Sequence, residues 1–218
     1  MKAPRAIAFD LDGTLVDSRK DIAAALNLAL ADSGRPALPE ETIAGFVGDG
    51  ARTLCARAAG LPEDHADVGR ILEGYLRHYL EHPMAFTRWM PGAREALDEL
   101  GGYELALMTN KPRPTVEAVL AGLGVADRFA AVVAEGDLPE KKPSPAPVLW
   151  IAKHLGISPA EIVVVGDGPQ DVQAGRRAGA RTVAVRGGFA LRERLEASGP
   201  DALIESLAEL PGIVNRWK

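Results

Sequence analysis

Five short apolar runs, at 6–10, 104–109, 131–135, 162–167 and 181–185, constrain this chain more than any other feature. Ala6-Ile7-Ala8-Phe9, Leu105-Ala106-Leu107-Met108 and Ile162-Val163-Val164-Val165 carry no polar alternation. A strand with one face in water alternates. A near-continuous apolar run of this length belongs to a strand covered on both faces, as in a parallel sheet. Helical periodicity fills most of the intervals, over Arg113 to Leu123, Ala146 to Leu155 and Gln170 to Ala178. This repetition predicts an α/β fold with a doubly wound, mostly parallel sheet. The tail, Asp201 to Lys218, reads as a last short strand and a closing helix.

One interval departs from the repetition. Residues 18–88 contain helical patterns over Arg19 to Asp32, Glu40 to Phe46, Ala51 to Ala59 and Asp64 to Glu81, with turn-forming pieces such as Ser33-Gly34-Arg35-Pro36 between them. A connection of about 70 residues far exceeds an ordinary loop. We therefore expect a core domain of residues 1–17 and 89–218 with an α-helical cap domain, 18–88, inserted after the first strand. A length of 218 residues, 47% of them hydrophobic, is enough for such a core and an accessory module. The net charge of −5 gives no reason to expect a nucleic-acid partner. No apolar stretch is long enough to span a membrane. The first strand is too short for a signal-peptide core, and the single cysteine, Cys55, reads as a small buried hydrophobe. The expectation is a cytoplasmic monomer or homodimer.

In an open α/β sheet, ligands bind beyond the carboxyl ends of the strands. Asp10 ends the first run, Thr109 and Asn110 the second, and Asp167 the fourth, while Lys142 follows the third by a short loop. Asp10, Asp12 and Asp167, with Asp171 near, bring several carboxylates together, which requires shared protons or a bound cation. Oxygen-only ligands favour a hard ion, and Mg²⁺ fits. A metal, a lysine and hydrogen-bond donors around a carboxylate form a receptor for a phosphoryl group. Asp10 can attack phosphorus, and Asp12 can protonate the leaving oxygen and later activate water. Gly13 allows the sharp turn between them and the next element.

The motifs Asp10-Leu11-Asp12-Gly13-Thr14, Leu107-Met108-Thr109-Asn110-Lys111-Pro112, Lys141-Lys142-Pro143 and Val165-Gly166-Asp167-Gly168-Pro169-Gln170-Asp171 occur in that order. Together they resemble the haloacid dehalogenase superfamily, in the subgroup with a helical cap after the first motif. The resemblance implies Asp10 as nucleophile and metal ligand, and Asp12 as acid/base with its carbonyl on Mg²⁺. It implies Thr109 and Lys142 as phosphate clamps, Asp167 as a further metal ligand and Asp171 as an outer carboxylate. Gly168 and Gln170 stand where the family often has Ser and Asn. Among capped members the closest resemblance is to phosphoglycolate phosphatases, which implies hydrolysis of a small phosphorylated metabolite. It also implies that Gly48, Asp49 and Gly50 of the cap face the substrate, and here Asp49 replaces a usual Asn. A carboxylate there is unfavourable beside an anionic substrate unless it points away or binds a cation.

Simpler roles remain open for several residues. Asp17 and Ser18 precede a helix and can cap it. Asp171 suits a helix first turn, and Asn110 can shape a turn rather than bind phosphate. Lys111 and Lys141 read as solvated or counter-charge residues. Arg52 and Arg57 can face an anionic substrate, although exposed helix charges are commoner. The four histidines, His65, His78, His82 and His154, read as structural, and Trp89 as packing. Sugar phosphates, pyrophosphate and a phosphoglucomutase-like transfer remain alternative chemistries. A receiver-like signalling domain would lack the long insertion.

Overall fold

The computed structural model describes residues 2–218. Its main sheet has six strands: β1 Ala6–Phe9, β4 Glu104–Pro112, β5 Ala131–Glu135, β6 Ile162–Gly166, β7 Arg181–Val185 and β8 Ala202–Ile204. Their spatial order is β5-β4-β1-β6-β7-β8, and every neighbouring pair is parallel. The chain builds outward from β1 to β4 and β5, then returns to the other side of β1 for β6. The β1–β6 boundary is therefore the point where strand order reverses, the usual place for a ligand crevice.

Residue size sorts the two faces of this sheet. Ile7 and Phe9 point into one apolar core with Leu105, Leu107, Val163 and Val165. Ala6 and Ala8 point into the other with Ala106, Met108 and Val164. All four residues of β1 are fully buried, as the unbroken apolar run requires. The larger-residue face is covered by α5 Ala93–Glu99, α6 Arg113–Leu123 and α10 Leu210–Asn215, and the smaller-residue face by α7 Ala146–Leu155 and α8 Pro169–Ala178. Full burial of Phe9 or Ile7 contributes about 1.5–3 kcal/mol each.

The chain between β1 and β4 is mostly helical: α1 Arg19–Asp32, α2 Glu40–Ala44, α3 Ala51–Ala59 and α4 Ala66–Glu81. α1 and α4 pack side by side, and their apolar faces (Ile22, Leu26, Ile71, Tyr75) belong to the same core as Ile7 and Phe9. At the two crossings between this insertion and the sheet, β2 Val16–Asp17 and β3 Arg88–Trp89 pair antiparallel. That two-residue ribbon has no sequence period and was not expected. α9 Arg192–Ala197 lies between β7 and β8. Three helix ends also differ from expectation: α2 stops at Ala44 rather than Phe46, α4 starts at Ala66 behind a His65 cap rather than at Asp64, and α8 starts at Pro169 rather than Gln170. Among the described residues, no helix is long and apolar enough to cross a membrane.

Candidate active site

Asp10 is the first residue beyond β1. Its Oδ1 accepts a hydrogen bond from Leu11 N at 2.7 Å and lies 2.8 Å from Lys142 Nζ. The same ammonium donates to Asp171 Oδ1 at 2.6 Å. Burial alone would push the Lys142 pKa down, but the Asp10 and Asp171 carboxylates override it and hold the group above the ordinary lysine range. Asn110 sets the lysine's loop: its Nδ2 donates to Lys142 O at 3.0 Å, and its Oδ1 accepts from Lys142 N at 3.1 Å. Both ends of the Asn110 amide are thus engaged by backbone, which fixes the turn that carries Lys142. Thr109 lies on β4, and its hydroxyl accepts from Lys111 N at 3.2 Å while its side chain borders the same pocket as Asp10. The Lys142–Pro143 peptide is cis.

Carboxylate oxygens of Asp10, Asp167 and Asp171 lie within 4.8 Å of one another, and all three residues are buried. Asp167 accepts from Thr14 Oγ1 at 3.0 Å and from Phe189 N at 2.6 Å. The backbone comes close because glycines permit it: a Cβ on Gly13 would sit 2.4 Å from an Asp167 oxygen, and one on Gly188 would sit 2.2 Å from it. Asp171, at the start of α8, accepts from Gly168 N at 3.0 Å. Burial, then the neighbouring Asp10, pushes the Asp167 carboxyl up to about 6. Burial also pushes Asp171 up, against the pull of Lys142. Three buried acids with one lysine between two of them leave a deficit of positive charge. An all-oxygen anionic donor set of this kind suits a hard divalent cation.

Asp12 stands apart from that cluster. Ser18 Oγ donates to its Oδ1 at 2.5 Å, and Lys111 Nζ lies 3.1 Å from each of its oxygens. Its carboxylate is thus committed to Ser18 and Lys111 and is not one of the three clustered acids. Lys111 is not solvated, as one sequence reading had it. Its side chain is 2% exposed, and its ammonium lies 4.3 Å from the Tyr79 ring centroid. Burial opposes the charge, and the Asp12 carboxylate more than offsets it, so the Lys111 pKa lies above the ordinary range. Ser18 occupies the cap position of α1 but makes no capping bond, because its hydroxyl is committed to Asp12.

The loop before α3 lies over this rim. Gly48 O accepts from Asn110 Nδ2 at 2.9 Å, and Ala51 N donates to Glu135 Oε2 at 3.1 Å. Lys141 holds that glutamate from the other side at 2.9 Å, as a counter-charge. Gly50 has φ +96°, and a Cβ there would strike both Lys141 and Glu135. Asp49 does not face the acids as a free carboxylate, since Arg57 pairs with it at 2.6 Å. Arg52 turns away and donates to Glu63 O at 3.1 Å. A pocket of about 40 Å³ lies between loop and sheet, bordered by Asp10, Asp12, Thr109 and Lys111. Outside it a cleft of about 880 Å³ reaches solvent past Asp12, Arg57 and Asp167.

Ser18, Lys111 and Glu135 were not singled out for the site by sequence reasoning. Only Lys111 left a usable signal. Its two-residue spacing from Thr109 places both on one face if the strand continues, and β4 does continue to Pro112.

The haloacid dehalogenase-like hydrolase family matches the chain over residues 7–185. A phosphoglycolate phosphatase of Chromobacterium violaceum is 41% identical over 217 residues, which cover 96% of each chain. One from Pectobacterium atrosepticum is 35% identical, over 96% of this chain and 92% of that one. A crystal structure described as a predicted phosphoglycolate phosphatase from Haemophilus somnus superposes with a TM-score of 0.90 at 32% identity, over 98% and 99% of the two chains. The match takes in Asp10, Asp12, Thr109, Asn110, Lys111, Lys142, Asp167 and Asp171, and the chain belongs to the haloacid dehalogenase-like hydrolase family.

Proposed function

We propose that the chain is a Mg²⁺-dependent phosphomonoesterase of a small phosphorylated metabolite, with 2-phosphoglycolate as its substrate. The observation that carries the reaction is the buried Asp10–Lys142–Asp171 chain beside Asp167, with Asp12 set apart on its own lysine. The names of the relatives support the substrate.

Both observed contacts of Asp10 fall on Oδ1, which leaves Oδ2 to attack phosphorus. Lys142 fixes the carboxylate and carries positive charge beside the transferring phosphoryl group, and Thr109 offers its hydroxyl there. Asp12, oriented by Ser18 and Lys111, gives a proton to the leaving oxygen as the aspartyl-phosphate forms on Asp10. It then takes a proton from the water that hydrolyses that ester. The side chains of Asp10 and Asp167 and the Asp12 carbonyl would hold Mg²⁺, with Asp171 alongside. Bound there, the ion supplies positive charge to offset the acids and the phosphoryl oxygens.

Residues 18–88 act in this reading as a cap. The inner pocket of about 40 Å³ is too small to admit substrate from the side, so the loop at Gly48–Gly50 must lift for entry and reseat for reaction. The apolar walls at Ile22, Val47 and Leu54 offer no hydrogen bonds to a ring of hydroxyls, which disfavours sugar phosphates and the mutase alternative. A kinetic screen of phosphorylated metabolites with Mg²⁺ tests the proposal. The expected result is the highest kcat/KM for 2-phosphoglycolate, with all turnover lost in EDTA. A clear preference for a hexose phosphate would overturn the substrate, and no turnover with any divalent metal would overturn the reaction.

A further inference from the structure

Lys111 is placed for more than holding Asp12. It borders the inner pocket on the Asp12 side, where the leaving group must sit, and Lys142 serves the opposite, Asp10 side. No other cationic side chain borders that pocket among the described residues. The pairing with Asp12 is also loose. Lys142 makes contacts of 2.6 and 2.8 Å, whereas Lys111 spans both Asp12 oxygens at 3.1 Å, longer than a well-formed charge-assisted bond of about 2.7–2.9 Å. Tyr79, whose ring faces the ammonium, has a buried hydroxyl with no hydrogen-bond partner among the described residues. A cation held only by long contacts to one carboxylate and by an aromatic face has donor capacity left for a second anion.

We propose that Lys111 receives a carboxylate carried by the leaving group, and so selects small phosphomonoesters with a carboxylate attached to the carbon that bears the ester oxygen. The inference rests on the phosphomonoesterase reading above and assigns its specificity to a core residue. In such a substrate the carboxylate lies one carbon beyond the carbon that bears the leaving oxygen. A group that reaches Asp12 with that oxygen therefore brings its carboxylate to the lysine that Asp12 shares. The cap contributes shape, through Val47, Ala51 and Leu54, but no cation at this place: Arg57 is paired with Asp49 and Arg52 faces Glu63.

The test compares 2-phosphoglycolate with 2-hydroxyethyl phosphate, which replaces the carboxylate by a neutral CH₂OH. Lys111→Met and Lys111→Gln both remove the charge, and Gln keeps a donor should Met fail to fold. Any loss through Asp12 affects both substrates alike. The expected result is a further fall of about 10²-fold in kcat/KM for 2-phosphoglycolate alone. Glycolate should also compete with an aryl phosphate in the wild type and lose that competition in either variant. Equal losses on the two substrates would overturn the inference and leave Lys111 as a positioning residue for Asp12. A wild type that turns over both substrates equally would overturn it while the phosphatase reading stands. A wild type that hydrolyses neither would overturn that reading itself.

Discussion

Asp10 and Asp12 are two residues apart, yet their charges are balanced in different ways, and this separates what their removal does. Asp10 shares Lys142 with Asp171, so a neutral residue at position 10 leaves the ammonium its second partner and relieves repulsion on Asp167. Among the described residues, Asp12 is the only carboxylate paired with Lys111. Asp10→Asn should lower kcat by at least about 10⁴-fold with no loss of thermal stability. Asp12→Asn should lower kcat by about 10²–10⁴-fold. It should also destabilise the fold by about 3–5 kcal/mol, because a buried ammonium loses its counter-charge. Thermal melts beside steady-state rates check both halves, and a melt ordered the other way would refute this charge assignment. Asp10 and Asp167 were legible in the sequence because each ends an apolar run, and Asp12 because it follows Asp10 by two residues. The burial of Lys111 was not, because a lysine beside a proline gives no sign that α4 will lay Tyr79 against it.

The strands and the helices named from the sequence followed from period and length, with differences confined to their ends, since each buries a stripe that the sequence repeats; the short helices α5 and α9 were not singled out. The ribbon of β2 and β3 was illegible for the opposite reason: two-residue strands have no period and exist because both chain crossings meet at one place. Asp21 in the first turn of α1 organises that meeting. Its buried carboxylate accepts from Phe86 N at 3.0 Å, Thr87 N at 2.7 Å and Thr87 Oγ1 at 2.6 Å, just before β3. Asp21→Ala would orphan these donors at the return from the insertion. The expected loss is about 3 kcal/mol in denaturant unfolding, with an altered KM as the loop at Gly48–Gly50 loses its seating. Gly50→Ala probes the seat directly. The strain at φ +96° and the clash with Lys141 and Glu135 should raise KM while leaving the melting temperature within a few degrees. An unchanged KM in both variants would show that the loop's position does not govern substrate access.

Across the whole molecule, the sheet crowds acids at the point where strand order reverses, and this makes the stability of the fold depend on what neutralises them. The ordinary carboxyl pKa of 3.8 is pushed to about 6 for Asp167, and Asp171 is raised in the same direction. A folded-state pKa above the unfolded value means that the native chain binds more protons in that window. The associated stability is full below the unfolded pKa and is lost as pH rises through the folded one. Metal-free protein should therefore lose stability from this cluster between about pH 4 and pH 7. A divalent cation bound at these acids would take the place of the protons and would bind only the deprotonated form, so it should stabilise most where the protons have left. Melting curves at pH 5 and pH 7.5, each in EDTA and in excess Mg²⁺, give four temperatures. The rise caused by Mg²⁺ should be larger at pH 7.5 than at pH 5, and Asp167→Asn should remove most of the difference. An equal rise at both pH values would mean that the three buried carboxylates are not the place where the cation binds.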